Sequence, residues 1–185
     1  MKPILQVEDD SNDVFLLQRA MKKAGATNLI QVVTDGQQAI DYLKGAGRFA
    51  DRDEFPLPCL VLLDLKLPYV MGLDVLKWIR QQPGVPLVVI LLTASGEEAD
   101  IASAYRLGAN AFLIKPPEAN KLVEMAKAIK DFWLTQNTLP PESYSEPVVP
   151  GLAHLRTTGL AAKPLPPSVH VLNHEKYPIN TQASL

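Results

Sequence analysis

The amino-acid sequence predicts an α/β protein built on a parallel β-sheet with helices on both faces. Strand-like and helix-like segments alternate through residues 1–137, and such alternation is typical of βα units that share a parallel sheet. Two strand-like segments, CLVLLD (Cys59–Asp64) and PLVVILLT (Pro86–Thr93), are almost continuously apolar. Runs of this kind indicate strands that are buried on both faces, because a half-exposed strand would alternate apolar and polar residues.

Hydrophobic periodicity and helix-boundary residues predict five successive strand–helix units. The predicted strands are Pro3–Val7, Asn28–Val33, Cys59–Asp64, Pro86–Thr93 and Ala111–Ile114. The first helix is predicted to begin at an N-cap, Ser11, and to end at Gly25. The other predicted helices are Gly36–Gly45, Leu73–Gln82, Glu97–Leu107 and Glu118–Thr135, and a long loop is predicted at Ala46–Pro58.

The order of these strands can also be predicted. Right-handed crossovers leave few ways to arrange five βα units, and we favour the flavodoxin-like (βα)5 doubly wound sheet with strand order 2-1-3-4-5. In that order the direction in which successive strands are added reverses between the first and third strands, and ligands bind there at the carboxyl ends of the strands.

The composition changes after Asn137. Half of the 16 prolines and all three histidines lie in residues 138–185. We therefore divide the chain into a domain, 1–137, and a Pro-rich C-terminal tail, 138–185, that is extended or partly disordered. The spacing of His154, His170 and His174 matches no metal-binding motif, so we expect them to be exposed to solvent.

Charge and cysteine content exclude several classes of function. The formal net charge is −2 and the pI is about 5.9, which is not the basic footprint of a nucleic-acid-binding protein. A single cysteine, Cys59, excludes an internal disulfide and fits a reducing compartment. No signal peptide is recognisable, and no apolar stretch approaches the roughly 20 residues of a membrane helix. We expect a cytoplasmic protein with neither nucleic acid nor membrane as a partner.

Polar residues stand at the carboxyl ends of four predicted strands. Glu8 and Asp9 follow the first, Asp64 ends the third, Thr93 ends the fourth and Lys115 follows the fifth. Three converging carboxylates repel one another, and Mg²⁺, which prefers carboxylate, carbonyl and water oxygens, relieves that repulsion. The pattern predicts a metal-assisted phosphoryl site in which Asp64 is the nucleophile and Lys115 and Thr93 bind the phosphoryl oxygens.

Each of these residues has a simpler interpretation when it is taken alone. An acid at a strand end is usually solvated, Thr93 fits a helix N-cap, and Lys115 before Pro116 fits a surface lysine. The functional interpretation depends on their joint placement at one sheet edge, since the simpler one needs several independent coincidences.

Four fragments, VEDD, LVLLDLKLP, LLTAS and AFLIKPP, occur in an order and spacing that resemble the bacterial response-regulator receiver domain. The resemblance covers residues 1–137. It implies a two-component phosphorelay in which a histidine kinase phosphorylates Asp64. It also implies that Mg²⁺ or Mn²⁺ is bound by Glu8, Asp9, Asp64 and the backbone carbonyl of Lys66, with Asp10 a secondary acid.

The same resemblance implies a switch that changes the face formed by the fourth helix, fifth strand and fifth helix. Thr93 matches the switch hydroxyl and Phe112 the switch aromatic, although Phe112 also fits simple core packing. Lys115 matches the family's phosphate-binding lysine, and the peptide bond between Lys115 and Pro116 matches one that is often cis.

A narrower resemblance rests on YLKGAGRFADRDEFPLP, LLDLKLPYVMGLDVLKWIR and DFWL. These segments resemble single-domain regulators that are paired with bacterial phytochromes and lack a DNA-binding output domain. This implies a sensor histidine kinase of phytochrome type and an output by protein–protein binding. The candidates for that output are a partner protein, a phosphorelay histidine protein, or a second copy of the chain in a homodimer through the fourth helix, fifth strand and fifth helix. Tyr105, Phe132 and Trp133 either enrich that face or belong to the core.

Three alternative functions agree less well with these residues. A receiver-like interaction module that works without phosphorylation would not need the set of Glu8, Asp9, Asp64, Thr93 and Lys115. A flavin-binding protein of the same topology would need a Ser/Thr/Gly-rich phosphate loop where this chain has EDDSND. An enzyme with a separate substrate is not expected, because receivers catalyse only their own phosphorylation and dephosphorylation.

Overall fold

A computed structural model describes residues 1–82, 87–94 and 96–138. They form a five-stranded parallel sheet in the order β2-β1-β3-β4-β5, which confirms the predicted fold class and strand order. The strands are β1 (Ile4–Val7), β2 (Ile30–Val33), β3 (Leu60–Leu63), β4 (Val88–Thr93) and β5 (Ala111–Ile114). The helices are α1 (Ser11–Lys23), α2 (Gly36–Lys44), α3 (Gly72–Gln81), α4 (Glu98–Arg106) and α5 (Ala119–Ile129). Beyond Thr138, the predicted tail lies outside the described residues.

The helix boundaries differ from the prediction in two informative places. The N-cap of α1 is Asp10, not Ser11, because the Asp10 carboxylate accepts a hydrogen bond of 2.7 Å from the Asn12 N–H. A carboxylate in this position satisfies an amide that the helix leaves free and also favours its positive end. The predicted last helix is α-helical only as far as Ile129 and continues as a π-helical segment, Lys130–Gln136.

Two hydrophobic layers cover the sheet, as the apolar strands predicted. Residues of alternating parity in each strand point to opposite faces. Leu5, Val61 and Leu91 contribute to the layer beneath α2, α3 and α4. Ile4, Leu62, Ile90 and their neighbours pack against α1 and α5, which supply Leu17, Met21, Leu122, Ala126 and Ile129. Since both faces are covered, only the ends of the strands remain for polar chemistry.

Gln6 breaks this apolar pattern in the middle of β1. It is 1% exposed, and neither its amide nitrogen nor its amide oxygen has a hydrogen-bond partner among the described residues. A buried amide without a partner costs about 1–3 kcal/mol. Gln6 is two residues before Glu8 and its side chain points to the same face of the sheet, so a polar group extends below the acidic edge into the core.

The predicted loop between α2 and β3 is anchored by one arginine. The Arg52 guanidinium donates hydrogen bonds of 2.8 Å to the carbonyls of Tyr42 and Leu43, and one of 3.1 Å to that of Phe55. The bonds to Tyr42 and Leu43 reach carbonyls in the last turn of α2, where the helix offers few further amides. The loop also contains a short 3₁₀ turn, Gly47–Phe49, and the rings of Tyr42, Phe49 and Phe55 pack together.

Candidate functional site

The predicted polar residues meet at the carboxyl edge of the sheet. Lys115 reaches across the edge from the end of β5, and its Nζ donates hydrogen bonds to carboxylates of Glu8, Asp13 at 2.9 Å and Asp64 at 3.2 Å. Glu8 follows β1 and Asp64 follows β3. The convergence inferred from strand ends alone is therefore present, and one ammonium joins residues from three parts of the fold.

Burial makes Glu8 an unusual acid. It is 3% exposed, and burial raises its pKa to about 7, although the bond to Lys115 and the charge of Lys115 act in the opposite direction. Burial alone would lower the pKa of Lys115, but its bonds to Asp13 and Glu8 and the charge of Asp64 raise that pKa above its usual value. The lysine is therefore a permanent cation at neutral pH, whereas Glu8 exchanges its proton near neutrality.

Three of the predicted metal ligands form a compact group. Glu8, Asp9 and Asp64 each offer a carboxylate oxygen, and these oxygens lie within 4.8 Å of one another. Their exposure rises from Glu8, which is buried, to Asp64, which is intermediate, and Asp9, which is exposed. An all-oxygen donor set that opens to solvent on one side suits a hard divalent cation that retains water ligands, as Mg²⁺ does. The donor chemistry thus fits the predicted metal.

The main chain around Asp64 fixes the direction of its carboxylate. The Leu65 N–H donates a hydrogen bond of 2.6 Å to Oδ1 of Asp64, whereas Oδ2 is the oxygen that faces Lys115. Gly72, at the start of α3, packs directly on this turn, since a Cβ there would lie 2.0 Å from the carbonyl oxygen of Asp64. Any other residue at this position would displace the segment that carries Asp64.

Thr93 and Lys115 are tied together through the backbone. Thr93 is the last residue of β4 and is 2% exposed, and its carbonyl accepts a hydrogen bond of 2.7 Å from the Lys115 N–H. The N-cap position of α4 is Glu97, so Thr93 does not cap that helix. Thr93 pairs with Ile114 in the register of β4 and β5. Phe112 lies two residues before Ile114 and is partly buried against the core.

Comparison with known protein families identifies the family to which this chain belongs. Residues 4–127 match the response regulator receiver domain. The chain belongs to this family. Receivers of two-component systems are phosphorylated by histidine kinases and bind divalent metal, and acidic residues cluster at the sheet edge of this chain.

Several solved structures that resemble this receiver are named as phytochrome or bacteriophytochrome response regulators. Response regulator Rcp1 of Synechocystis is 36% identical over 140 residues, which are 75% of this chain and 93% of Rcp1. The Mn²⁺-bound crystal structure of Rcp1 aligns with a TM-score of 0.67 at 34% identity, covering 76% of this chain and 100% of that one. The phosphorylated cyanobacterial phytochrome response regulator RcpA aligns with a TM-score of 0.68 at 34% identity, covering 76% and 99%. The receiver is therefore similar to phytochrome-linked regulators.

One predicted feature of the receiver site is corrected. The described residues contain no cis peptide bond, so the bond between Lys115 and Pro116 is trans. Trans is the lower-energy form of an X–Pro bond by about 0.5–1 kcal/mol, and the Lys115 ammonium reaches its three carboxylates from this trans backbone.

The receiver site also contains a residue that the sequence analysis missed. Asp13 lies in the first turn of α1 and bonds directly to Lys115. An acid at the start of a helix is already explained by the helix dipole, which hides any second role. The available signal was the position of Asp13, four residues after Asp9. One turn of α1, which follows its cap at Asp10, brings Asp13 back towards the sheet edge.

The remaining predicted positions are placed as follows. Asp10 is occupied as the cap of α1. Lys66 is exposed, and its N–H lies 3.4 Å from Oδ1 of Asp64, so its backbone adjoins the acidic group. Among the described residues, no helix is both long enough and apolar enough to cross a membrane.

Proposed function

We propose that this receiver accepts a phosphoryl group on Asp64 from the phosphohistidine of a sensor histidine kinase and signals by protein–protein binding. The observation that carries the proposal is the position of Asp64. Its Oδ2 lies 3.2 Å from the Lys115 ammonium, and the carboxylate also belongs to a three-acid group with oxygens within 4.8 Å of each other. A nucleophile, a cation and a set of metal ligands therefore share one sheet edge.

The transfer consists of one substitution at phosphorus. A carboxylate oxygen of Asp64 forms a P–O bond while the P–N bond to the kinase imidazole breaks, and the imidazole nitrogen takes up a proton as it leaves. Lys115 binds a phosphoryl oxygen of the product and Thr93 offers a hydroxyl from the end of β4. Mg²⁺ held by Glu8, Asp9 and Asp64 would supply positive charge for the phosphoryl oxygens.

The proposed metal ligands are Glu8, Asp9, Asp64 and the main-chain carbonyl of Lys66. The close approach of three carboxylate oxygens supports this set, and the Mn²⁺-bound structure of Rcp1, a relative at 34% identity, supports a divalent ion of this type. Either Mg²⁺ or Mn²⁺ suits the all-oxygen donors.

Loss of the phosphoryl group resets the protein. Water attacks phosphorus, the P–O bond to Asp64 breaks, and the carboxylate, inorganic phosphate and a proton are released. The protein in this scheme acts on no substrate other than its own phosphorylated carboxyl group, so we propose a signalling protein and not an enzyme with a separate substrate.

The proposed output face consists of α4, β5 and α5 with its π-helical extension. Three large apolar side chains on these elements are about half exposed: Tyr105 at 53%, Ile114 at 53% and Phe132 at 52%. Trp133, by contrast, packs on the core. Exposed aromatic residues are enriched in the centres of protein interfaces. We extend the proposal to a homodimer through this face, with Thr93 and Phe112 relaying the state of Asp64 to it.

The relatives also suggest the kind of kinase. RcpA is named as a phytochrome response regulator, and a further structure, the bacteriophytochrome response regulator RtBRR, is 42% identical over 77% of this chain. We propose a sensor kinase of phytochrome type as the phosphodonor on that basis.

The decisive experiment uses a small phosphodonor. With acetyl phosphate and Mg²⁺, the wild-type protein should gain one phosphoryl group by intact-mass spectrometry, and hydroxylamine should remove it because acyl phosphates react with this reagent. Asp64→Asn should remain unmodified, since an amide is a poor nucleophile. Equal labelling of the two proteins, or none of the wild type, would reject the proposal in favour of an interaction module that works without phosphorylation.

A further inference from the structure

The hydrogen-bonding capacity of Lys115 is fully used. An ammonium group has three N–H donors and no acceptor, and the Nζ of Lys115 contacts three carboxylates, on Glu8, Asp13 and Asp64. A phosphoryl oxygen can therefore bind this ammonium well only if one carboxylate gives up its share of the donors.

The three carboxylates differ in how easily they can be released. The side chains of Glu8 and Asp64 are 4% and 12% exposed, whereas that of Asp13 is 38% exposed. A buried carboxylate that loses its partner cannot recover the interaction from water. Asp13 can, because water reaches it. The Asp13 bond to Lys115 is therefore the least costly of the three to break.

Asp13 also stands apart in its role at the site. Glu8 and Asp64 belong to the group of carboxylates that can hold a metal, and Asp13 does not. Its place is set by α1, whose first turn is fixed by the Asp10 cap. A helix thus presents one carboxylate to the ammonium, whereas the other two follow the ends of strands.

We propose that Asp13 is a positioning residue that holds Lys115 in the unphosphorylated protein and competes with the phosphoryl group for its ammonium. The inference rests on the function proposed for Asp64 and adds a contact that opposes binding of the phosphoryl group by Lys115. In the resting state the Asp13 bond stabilises the contact of Lys115 with Glu8 and Asp64. On phosphorylation, Lys115 exchanges Asp13 for a phosphoryl oxygen, and Asp13 turns to solvent. Asp13 therefore sets how strongly the protein favours its resting state.

The test compares Asp13→Asn with a matched control. Asp10→Asn removes the same charge three residues away and retains an N-cap, because asparagine caps helices as well as aspartate does. In metal-free protein, ¹⁵N NMR of the Lys115 ammonium should show faster proton exchange in Asp13→Asn than in wild type or Asp10→Asn. With Mg²⁺, beryllofluoride, a phosphoryl analogue, should bind Asp13→Asn roughly 2- to 5-fold more tightly than Asp10→Asn, as expected for the loss of a partly exposed ion pair.

The possible results separate the two proposals. Unchanged ammonium exchange in Asp13→Asn, equal beryllofluoride affinities for the two variants, or weaker binding by Asp13→Asn would overturn the role of Asp13 while leaving phosphorylation of Asp64 intact. If the wild type and both variants bind Mg²⁺ but not beryllofluoride, the proposed function itself fails and the competition fails with it. Thermal unfolding of each variant shows whether it is folded under the conditions used.

Discussion

The ammonium of Lys115 lies 3.2 Å from the carboxylate of Asp64, although 51 residues separate them in the chain and β4 lies between their strands. The backbone N–H of Lys115 donates to the Thr93 carbonyl at 2.7 Å, which extends the pairing of β4 and β5 by one step and directs the lysine across the sheet edge. Asp64 and Lys115 are thus positioned by the sheet register and not by a flexible loop.

Mg²⁺ binding should weaken as the pH falls through 7. Burial raises the pKa of Glu8 to about 7. A proton and a metal compete for the same carboxylate, so affinity should be full above this pKa and decrease below it, approaching about tenfold per pH unit. Calorimetric titrations at several pH values will measure this. Glu8→Gln should bind Mg²⁺ more weakly and with little pH dependence in the same range, and a wild-type-like profile in that variant would refute the assignment.

Gln6→Leu should stabilise the protein. The substitution removes a buried amide with no partner among the described residues and places an apolar side chain in an apolar layer, so we expect the free energy of unfolding to rise by about 1–2 kcal/mol. Urea unfolding measures the difference. Gln31→Leu, on the neighbouring strand β2 at a partly exposed position, should have a smaller effect. A loss of stability in Gln6→Leu would mean that internal water satisfies the amide.

Arg52→Ala should loosen the loop between α2 and β3. The variant loses the guanidinium bonds to the carbonyls of Tyr42, Leu43 and Phe55. We expect a loss of roughly 2–3 kcal/mol and faster cleavage of this loop in limited proteolysis. Arg52→Lys keeps the charge but not the planar fork and should recover only part of the loss. Full recovery of stability by lysine would show that the positive charge, and not the hydrogen bonds of the guanidinium to three carbonyls, anchors the loop.

Tyr105→Ala and Phe132→Ala should weaken the proposed homodimer. Both side chains are about half exposed on the output face, and truncation of an aromatic residue at an interface centre costs about 2 kcal/mol or more of binding energy. Sedimentation velocity of the protein with Mg²⁺ and beryllofluoride measures the shift towards monomer. Phe15→Ala removes an aromatic of similar exposure, 60%, from α1 and should leave association unchanged. If all three variants behave alike, the dimer uses another surface or does not form.

The sequence by itself determined the sheet, its strand order and the edge at which the polar residues meet. Apolar runs such as Leu60–Leu63 specify buried strands, and parallel strands joined by right-handed crossovers bring their carboxyl ends to one edge whatever the details of packing. Glu8, Asp9, Asp64 and Lys115 could therefore be placed together from their positions after those strands. The family motifs at the same positions pointed to the same chemistry.

Only the tertiary structure decided which groups share the Lys115 ammonium. The bond between Asp13 and Lys115 depends on how α1 packs against α5 and the sheet, and that packing is set by many side chains at once, among them Leu17, Met21 and Ile129. The burial that raises the pKa of Glu8 and the orphaned amide of Gln6 likewise depend on three-dimensional surroundings. A local pattern specifies where a strand ends, whereas hydrogen bonding and desolvation depend on contacts between residues that are distant in sequence.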